Sequence, residues 1–410
     1  MSAGAGTKAG VAVAATPAWW RSRRWGTVGA LSVTETVSWG IVYYAFAVFL
    51  VPMQRDLGLS TAQLTGAFSR ALLVSAVAGI AVGRYLDRHS PRGLMTAGSI
   101  AATALVLAWS QVDGLAAVYA LWLGLGLVMA TVLYEPAFTV VAKWFADAAE
   151  RRRALTALTL VAALASFIFL PLSQALIDAY GWRDALVILA LILGAVTIPL
   201  HALALRRPPS ASGLHHHETA SAAAVTALRS VPFWLLSGAF FLASLTGIAM
   251  TVHAIPYLLE RGEGPAFAAF AVGLIGVSQI PGRVLFAAAA ARLPRPAAIA
   301  TVFATIAAGI AVVVGVPGDT ALLIGFVLLG MGNGMTTLAR AAAVADLYGS
   351  AGYGTIAGVM GAVTTVARAA APVAAALYAA AAGYTTLLWT LAGLAIVAAA
   401  LAYRAERSLA

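Results

Sequence analysis

The sequence predicts an all-α membrane protein with twelve transmembrane helices in two six-helix bundles and both termini in the cytoplasm. The chain has 410 residues, of which 62% are hydrophobic and 10% are charged. Apolar runs of about 20 residues, long enough to cross a bilayer as helices, recur along it. Only segments that satisfy their own backbone hydrogen bonds are stable in lipid, and the alternating segments of a membrane β-barrel are absent from the sequence.

Twelve spans account for nearly all of these apolar runs. In the first half of the chain the predicted spans are 27–51, 61–83, 93–111, 115–143, 154–178 and 183–205. In the second half they are 232–258, 266–290, 297–316, 320–343, 355–379 and 384–403. The expected organisation is therefore a cytoplasmic tail (1–26), a bundle (27–205), a polar cytoplasmic linker (206–230), a second bundle (231–403) and a cytoplasmic tail (404–410).

The basic residues set the orientation of the spans. In this arrangement the cytoplasmic segments hold 18 of the 25 Lys and Arg residues, and the outer loops hold only Arg55, Arg183 and Arg261. Short loops rich in Lys and Arg stay in the cytoplasm, so this distribution explains the net charge of +10 without a nucleic-acid partner. No removable signal peptide is predicted. The Ala-rich, Arg-over-Lys composition indicates a bacterial source, and hence a multi-pass protein of the inner (cytoplasmic) membrane.

The two halves look like an internal repeat. Similar short motifs recur about 200 positions apart: Val82–Leu86 with Pro281–Leu285, Pro171 with Pro372, and Gly124-Leu125-Gly126 with Gly330-Met331-Gly332. Paired six-helix repeats are a transporter architecture, with the substrate site near the membrane midplane between them. The alternative is that small residues recur by chance in any Ala- and Gly-rich membrane protein.

Ionisable side chains within the spans are the candidates for chemistry, because each costs roughly 2.5–3.5 kcal/mol at the helix centre. Arg368 lies near the middle of span 11, and Arg283 lies in span 8 one turn after Gln279. Guanidinium and amide groups suit recognition of a carboxylate. The alternatives are an ion pair from Arg368 to Glu35 or Glu135, and an Arg283 that reaches the cytoplasmic surface.

A second set of residues is suited to carrying protons. Glu35 shares one face of span 1 with Trp39 and Tyr43, which combines a titratable carboxylate with aromatic cavity walls. Glu135 in span 4 and His253 in span 7 are further candidates. The alternatives are that the two glutamates are counter-ions of buried arginines and that His253 is a packing residue. Arg340 in span 10 is expected to act in gating or charge pairing, or to contact the ligand.

The connector Gly83–Arg92 joins spans 2 and 3 and carries Gly83, Asp87, Arg88 and Arg92. Asp87 is placed to accept hydrogen bonds from the N-terminus of span 11, between Gly354 and Gly358, where carboxylates are favoured. The pattern resembles the loop between helices 2 and 3 of the major facilitator superfamily, with Ser90 where that family usually has glycine. The resemblance implies that this loop stabilises one side of an alternating-access cycle.

Within that superfamily the chain is similar to the branch of monocarboxylate porters and oxalate:formate antiporters. The similarity lies in Trp39–Phe46, Gly66–Ser69 and Gly181-Trp182-Arg183. It implies a secondary carrier for a mono- or dicarboxylate, proton-coupled or exchanging, with the basic residues of spans 8 and 11, here Arg283 and Arg368, holding the anion. The chain departs from the branch at Glu35, where monocarboxylate transporters place a lysine on span 1, and it has no acidic residue in span 8.

The alternative function is proton-coupled efflux of drugs or metabolites, although span 5 lacks the glycine-rich end of those antiporters. A multi-span enzyme is rejected because no metal-ligand cluster or nucleophile–base pair occurs in the sequence. We expect no cofactor, and no metal site at the run His215–His217. The expected partners are a small carboxylate substrate, protons and the lipid bilayer, with the protein as a monomer. The chain has no cysteine, which excludes disulfides.

Overall fold

The computed structural model describes residues 18–206 and 214–408, and these form helices joined by short turns. Residues 1–17, 207–213 and 409–410 lie outside the described part, and with them most of the predicted N-terminal tail. In chain order the helices are α1 (Ala18–Ser38), a π-helical segment (Trp39–Tyr44), α2 (Ala45–Leu57), α3 (Thr61–Arg88), α4 (Pro91–Trp109), α5 (Gly114–Val132), α6 (Tyr134–Trp144), α7 (Ala148–Ala162), α8 (Leu164–Ala204), α9 (Leu214–Arg229), α10 (Val231–Glu260), α11 (Pro265–Arg292), α12 (Arg295–Gly315), α13 (Asp319–Tyr348), α14 (Tyr353–Ala382) and α15 (Tyr384–Arg407).

Among the described residues, eleven continuous helical stretches are long and apolar enough to cross a membrane. One of them, Ala148–Ala204, has 57 residues. At 1.5 Å per residue it would be about 85 Å long, far more than a hydrocarbon core of about 30 Å. Gly181 interrupts this stretch with φ 79° and ψ 163°, a conformation that glycine adopts without a Cβ clash. Gly181 therefore divides this stretch into two helices, at a position between the predicted spans 5 and 6.

The connector differs from its prediction as a charged loop. The residues from Gly83 to Arg88 continue α3, and only His89 and Ser90 are non-helical. The Ser90 side chain accepts a hydrogen bond from the Arg92 amide at 3.4 Å, and Pro91 opens α4. Serine at the N-cap and proline at the first helical position together start a helix within a single turn. The connector therefore holds its charges on helical backbone.

Two departures from regular α-helix lie near the middle of the first half. The six residues Trp39–Tyr44 form a π-helical turn, and such turns occur often at functional sites. Leu133 separates α5 from α6, with φ −98° and ψ −166°. Pro136 has no amide hydrogen, so the helix cannot bond back to the carbonyl four residues earlier. Trp39, Tyr43 and Tyr44 lie within the π-helical turn, and Tyr134 directly follows the break at Leu133.

The linker between the halves contains a helix that was not predicted. Helix α9 covers much of the segment 206–230, and its residues Ala224 and Ala227 are buried. It packs against α3, α10 and α14, and so contacts helices of both halves. The side chains of His215–His217 lie outside the described side chains.

The apolar core shows where the two halves meet. One buried cluster joins the second half to first-half residues such as Leu31, Phe138 and Leu155, all toward the end of the molecule that carries the connector. A separate cluster fills the other end of the first half, with Phe49, Trp109 and Trp122 fully buried. The halves are thus packed together at the connector end, and their cores are separate at the opposite end.

Candidate functional site

Polar contacts between the halves are concentrated toward the connector end. Asp346 near the end of α13 forms ion pairs with Arg151 and, at 3.2 Å, with Arg152, both near the start of α7. From the sequence alone, these two arginines belong to the 18 basic residues of the predicted cytoplasmic segments, which set the topology. Their partner lies 195 and 194 positions away, so no local sequence signal could have found it.

Asp87 and Gly83 hold the connector against the start of α14. The Asp87 carboxylate accepts hydrogen bonds from the amides of Gly354 and Thr355 at 2.9 and 2.8 Å and from the Thr355 hydroxyl at 2.7 Å. This contact is the one predicted from the sequence. A Cβ on Gly83 would lie 2.0 Å from the Gly354 carbonyl oxygen, so only glycine fits there. Arg88 and Arg92 are exposed on the connector surface.

Arg340 and Glu135 form an ion pair inside the membrane region. The Arg340 guanidinium donates to the Glu135 carboxylate at 2.5 Å, and the side chains are 11% and 28% exposed. Each lies about eight or nine residues from the connector-side end of its helix, a depth of roughly 12–14 Å. Of the roles expected for Arg340, the structure shows charge pairing, while gating and ligand contact stay predictions. The alternative pairing of Arg368 with Glu135 is wrong, because Glu135 is bonded to Arg340.

Arg283 is 5% exposed and lies between the halves. Its guanidinium donates to the backbone carbonyl of Thr159 in α7, and it lies beside the Tyr134 hydroxyl. The Arg283 Nε has no hydrogen-bond partner. The alternative that Arg283 reaches the cytoplasmic surface is therefore wrong. In this conformation it is an interior contact between α11 and α7.

Arg368 has a different environment. It lies about 15 residues into the 30-residue helix α14, yet its side chain is exposed. The electrostatic neighbours of its guanidinium include Tyr43, Tyr44 and Glu135 of the first half. Because groups of both halves surround it, its exposed surface faces a space between the halves rather than lipid. No acidic side chain of the described residues pairs with it.

Four half-buried aromatic rings lie beside these arginines. The Trp39 ring centroid is 4.9 Å from that of Tyr43, 4.9 Å from that of Tyr134 and 6.0 Å from that of Tyr44. Tyr43 and Tyr44 are 5.2 Å apart, edge to face. The π-helical turn brings Tyr43 and Tyr44 into one cluster with Trp39, and the helix break at Leu133 places Tyr134 against them. We call these four residues the ring cluster.

Glu35 lies behind the ring cluster with no exposed surface. Its Oε2 accepts a hydrogen bond from the Trp39 indole at 3.1 Å, and its Oε1 has no partner. No arginine, lysine or histidine of the described chain forms an ion pair with it, so the alternative of a counter-ion to a buried arginine is wrong in this conformation. Burying a carboxylate without an ionic partner is energetically costly.

The remaining predicted residues lie elsewhere in the second half. His253 of α10 is buried, and its Nε2 lies 3.0 Å from the Pro372 carbonyl, which makes that nitrogen the donor. His253 is thus bonded within its own half, away from Glu35. Gln279 is half-buried on α11, and its backbone contacts α13 so closely that a Cβ on Gly334 would lie 2.2 Å from its carbonyl oxygen.

Two curated transporters are similar to this chain in sequence. The chain is 30% identical over 269 residues to monocarboxylate transporter 13 of Bos taurus, covering 60% of each protein. It is 27% identical over 239 residues to the oxalate:formate antiporter of Oxalobacter formigenes, covering 57% of this chain and 55% of that protein. The aligned regions thus span somewhat over half the length of these curated relatives.

Solved structures show the same fold. The superfamily transporter FucP in the outward conformation superposes with a TM-score of 0.76 at 15% identity, over 93% of this chain and 98% of that one. The human organic anion transporter MFSD10 superposes with a TM-score of 0.69 at 16% identity, over 94% and 100%. The profile described as Major Facilitator Superfamily matches residues 36–372. The chain is therefore a multi-pass membrane transporter that belongs to the major facilitator superfamily.

Proposed function

We propose that this protein is a secondary active transporter of a small organic anion, a mono- or dicarboxylate, working by alternating access. Twelve crossings would form two six-helix bundles, 27–205 and 231–403, joined by the linker 206–230, with both termini in the cytoplasm of a bacterial cell. The names of the monocarboxylate and oxalate:formate relatives support the substrate class.

The observation that carries this proposal is the environment of Arg368. A guanidinium in the middle of a membrane helix is costly and is retained where it meets a cavity or a partner. Arg368 is exposed between the halves and has no acidic partner among the described residues. A substrate carboxylate would supply the missing anion in a bidentate, charge-assisted contact. Arg283 adds positive charge from behind Tyr134, and Gln279, Trp39 and Tyr43 complete the proposed binding residues.

The cycle would require the contacts of the connector end to break. These are the Asp87 contacts with α14, the close approach of α3 and α14 at Gly83, and the ion pairs of Arg340 and Asp346. Arg88 and Arg92 would assist by holding the connector at the cytoplasmic surface. Opening this end gives the substrate a path to the cytoplasm, while the separate cores at the opposite end would close together.

Proton coupling, where it operates, is assigned first to Glu35. It is dry and unpaired, and Trp39 links it directly to the ring cluster. Glu135 is second, because its charge is already neutralised by Arg340. His253 is third, because it is bonded within its own half. The Trp39 indole stabilises the ionised form of Glu35, so movement of Trp39 away from Glu35 upon substrate binding would favour retention of the proton, and return of the indole would favour its release.

Ligand-induced thermal stabilisation of the purified protein tests the proposal, because binding to the folded state raises its apparent stability. The panel contains small carboxylates, cationic hydrophobic drugs and sugars. We expect a shift with carboxylates that Arg368→Ala abolishes and Arg70→Ala retains. Arg70 is the matched control, since it is an exposed arginine within a span that stacks on Tyr119, with its Cζ 4.5 Å from the ring centroid. Carboxylate binding that survives Arg368→Ala would refute the assignment.

One observation favours the second candidate, proton-coupled efflux of drugs or metabolites. Glu35 is an unpaired acid next to four aromatic rings, and this combination also attracts organic cations. A shift only with cationic hydrophobic compounds, lost in Glu35→Gln, would establish efflux in place of anion transport.

A further inference from the structure

We infer that the site selects a monocarboxylate that carries an aromatic or other planar apolar group, over a dicarboxylate. This inference rests on the proposed anion-transport function and narrows its substrate class. Its support comes from Arg368, which has no acidic partner among the described residues, and from the half-buried rings near it.

The charge pattern favours a single negative charge on the ligand. Of the arginines that surround the ring cluster in the described chain, Arg340 is neutralised by Glu135. Arg283 is 5% exposed and donates to the Thr159 carbonyl, so its positive charge is not exposed in the space between the halves. Arg368 remains as the exposed guanidinium without an acidic partner. A second carboxylate on the ligand would lose its hydration without gaining an exposed cation, which is strongly unfavourable.

The ring cluster favours an apolar, planar body. Trp39, Tyr43, Tyr44 and Tyr134 are all half-buried, so part of each ring faces the space between the halves. Aromatic pairs prefer offset or edge-to-face contacts with centroids about 4.5–7 Å apart, and a planar ligand group can join such a cluster. Covering these faces also removes apolar surface from water, which favours binding.

The two features adjoin, so one small molecule can use both. The charge of Arg368 lies close to the Tyr43 and Tyr44 side chains, and these two rings contact each other and Trp39. A carboxylate on Arg368 can therefore place the group attached to it near the ring cluster. Acetate would reach the guanidinium but leave the rings uncovered.

The test compares acetate, malonate and phenylacetate as ligands of the purified full-length protein by calorimetric titration. We expect phenylacetate to bind roughly tenfold or more tightly than acetate, and malonate to gain nothing over acetate. Tyr43→Leu should lower the affinity for phenylacetate toward that for acetate, whereas Tyr43→Phe should keep the phenylacetate advantage because the ring remains. Trp39→Leu is a second variant, for the case in which Tyr43→Leu fails to fold.

Each outcome decides one question. Malonate binding more tightly than phenylacetate would overturn the inference and favour a dicarboxylate. A phenylacetate advantage that persists in both leucine variants would also overturn it, because the rings would then not contribute. Acetate and malonate binding that depends on Arg368, with no gain for phenylacetate, would remove the inference and leave the proposed function intact. Absence of any Arg368-dependent binding would remove both.

Discussion

Arg340 of α13 donates to Glu135 of α6 at 2.5 Å, joining two residues that are 205 positions apart in the chain. The pair lies inside the membrane region and bridges the two halves, so each side chain compensates the other in an environment where neither charge is tolerated alone. Breaking the pair during the transport cycle therefore requires either water or a proton to reach Glu135.

Removing one member of the Arg340–Glu135 ion pair should destabilise the protein more than removing both. We expect Arg340→Ala to lower the free energy of unfolding by roughly 1–3 kcal/mol, because Glu135 is left without its donor. The double variant Arg340→Ala/Glu135→Ala should recover much of this loss. Thermal unfolding of the unaltered protein, Arg340→Ala, Glu135→Ala and the double variant in one detergent measures the coupling. Additive losses would show that the pair does not contribute as a unit.

Gly83→Ala should open the connector end. A Cβ there would lie 2.0 Å from the Gly354 carbonyl oxygen, and backbone cannot move aside as a side chain can. Gly79→Ala is the matched control on the same helix, because a Cβ at Gly79 meets nothing within 4 Å. The chain has no cysteine, so spin labels at Gly93→Cys and Arg292→Cys report the separation of the halves directly. We expect the distance between the labels to increase in Gly83→Ala and to stay unchanged in Gly79→Ala. Equal distances in the two variants would contradict the contact assigned to Gly83.

Gly40→Ala should distort the π-helical turn. A Cβ at Gly40 would lie 2.1 Å from the Phe169 ring, and overpacking of this kind costs typically 1–3 kcal/mol. The control is Gly29→Ala, where the added carbon meets nothing within 4 Å. Because the obstacle is a side chain, Phe169→Leu should partly rescue Gly40→Ala. Failure of the rescue, measured by thermal unfolding, would place the strain elsewhere.

Glu35→Gln should separate substrate binding from proton coupling. Glutamine keeps an acceptor for the Trp39 indole but cannot release a proton, so binding should persist while proton-driven accumulation is lost. Trp39→Phe removes the indole donor and should alter the pH dependence of uptake while Glu35 remains. Uptake into proteoliposomes with and without a pH gradient measures both. Accumulation in Glu35→Gln equal to that of the unaltered protein would exclude Glu35 as the coupling group.

The sequence predicted the long helices well, because apolar length and the basic residues between spans are local signals. It also predicted the Asp87 contact with the start of α14, through a pattern in which a carboxylate meets a helix N-terminus. It did not predict the π-helical turn at Trp39–Tyr44 or helix α9, since neither has a distinct periodicity in the sequence. The pairing of Glu135 with Arg340 rather than Arg368 depends on the relative rotation of α13 and α14. That rotation is set by packing over the whole bundle.

The glycine-lined crossing of α3 and α14 determines how sharply the connector end can change state. A Cβ at Gly354 or Gly358 would lie 2.5 or 2.7 Å from carbonyl oxygens of α3, so the helices touch backbone to backbone. Contacts between backbones cannot stretch as lysine or leucine side chains do, and a gap of 0.5–1 Å already forfeits about a quarter to a half of the attraction. A gap too narrow for water or lipid to enter leaves both backbones without partner atoms, so a slightly parted crossing is less stable than a closed crossing or a fully separated one whose surfaces are solvated. The low stability of a slightly parted crossing makes half-open intermediates rare. These are the states through which a transporter would leak ions down their gradients.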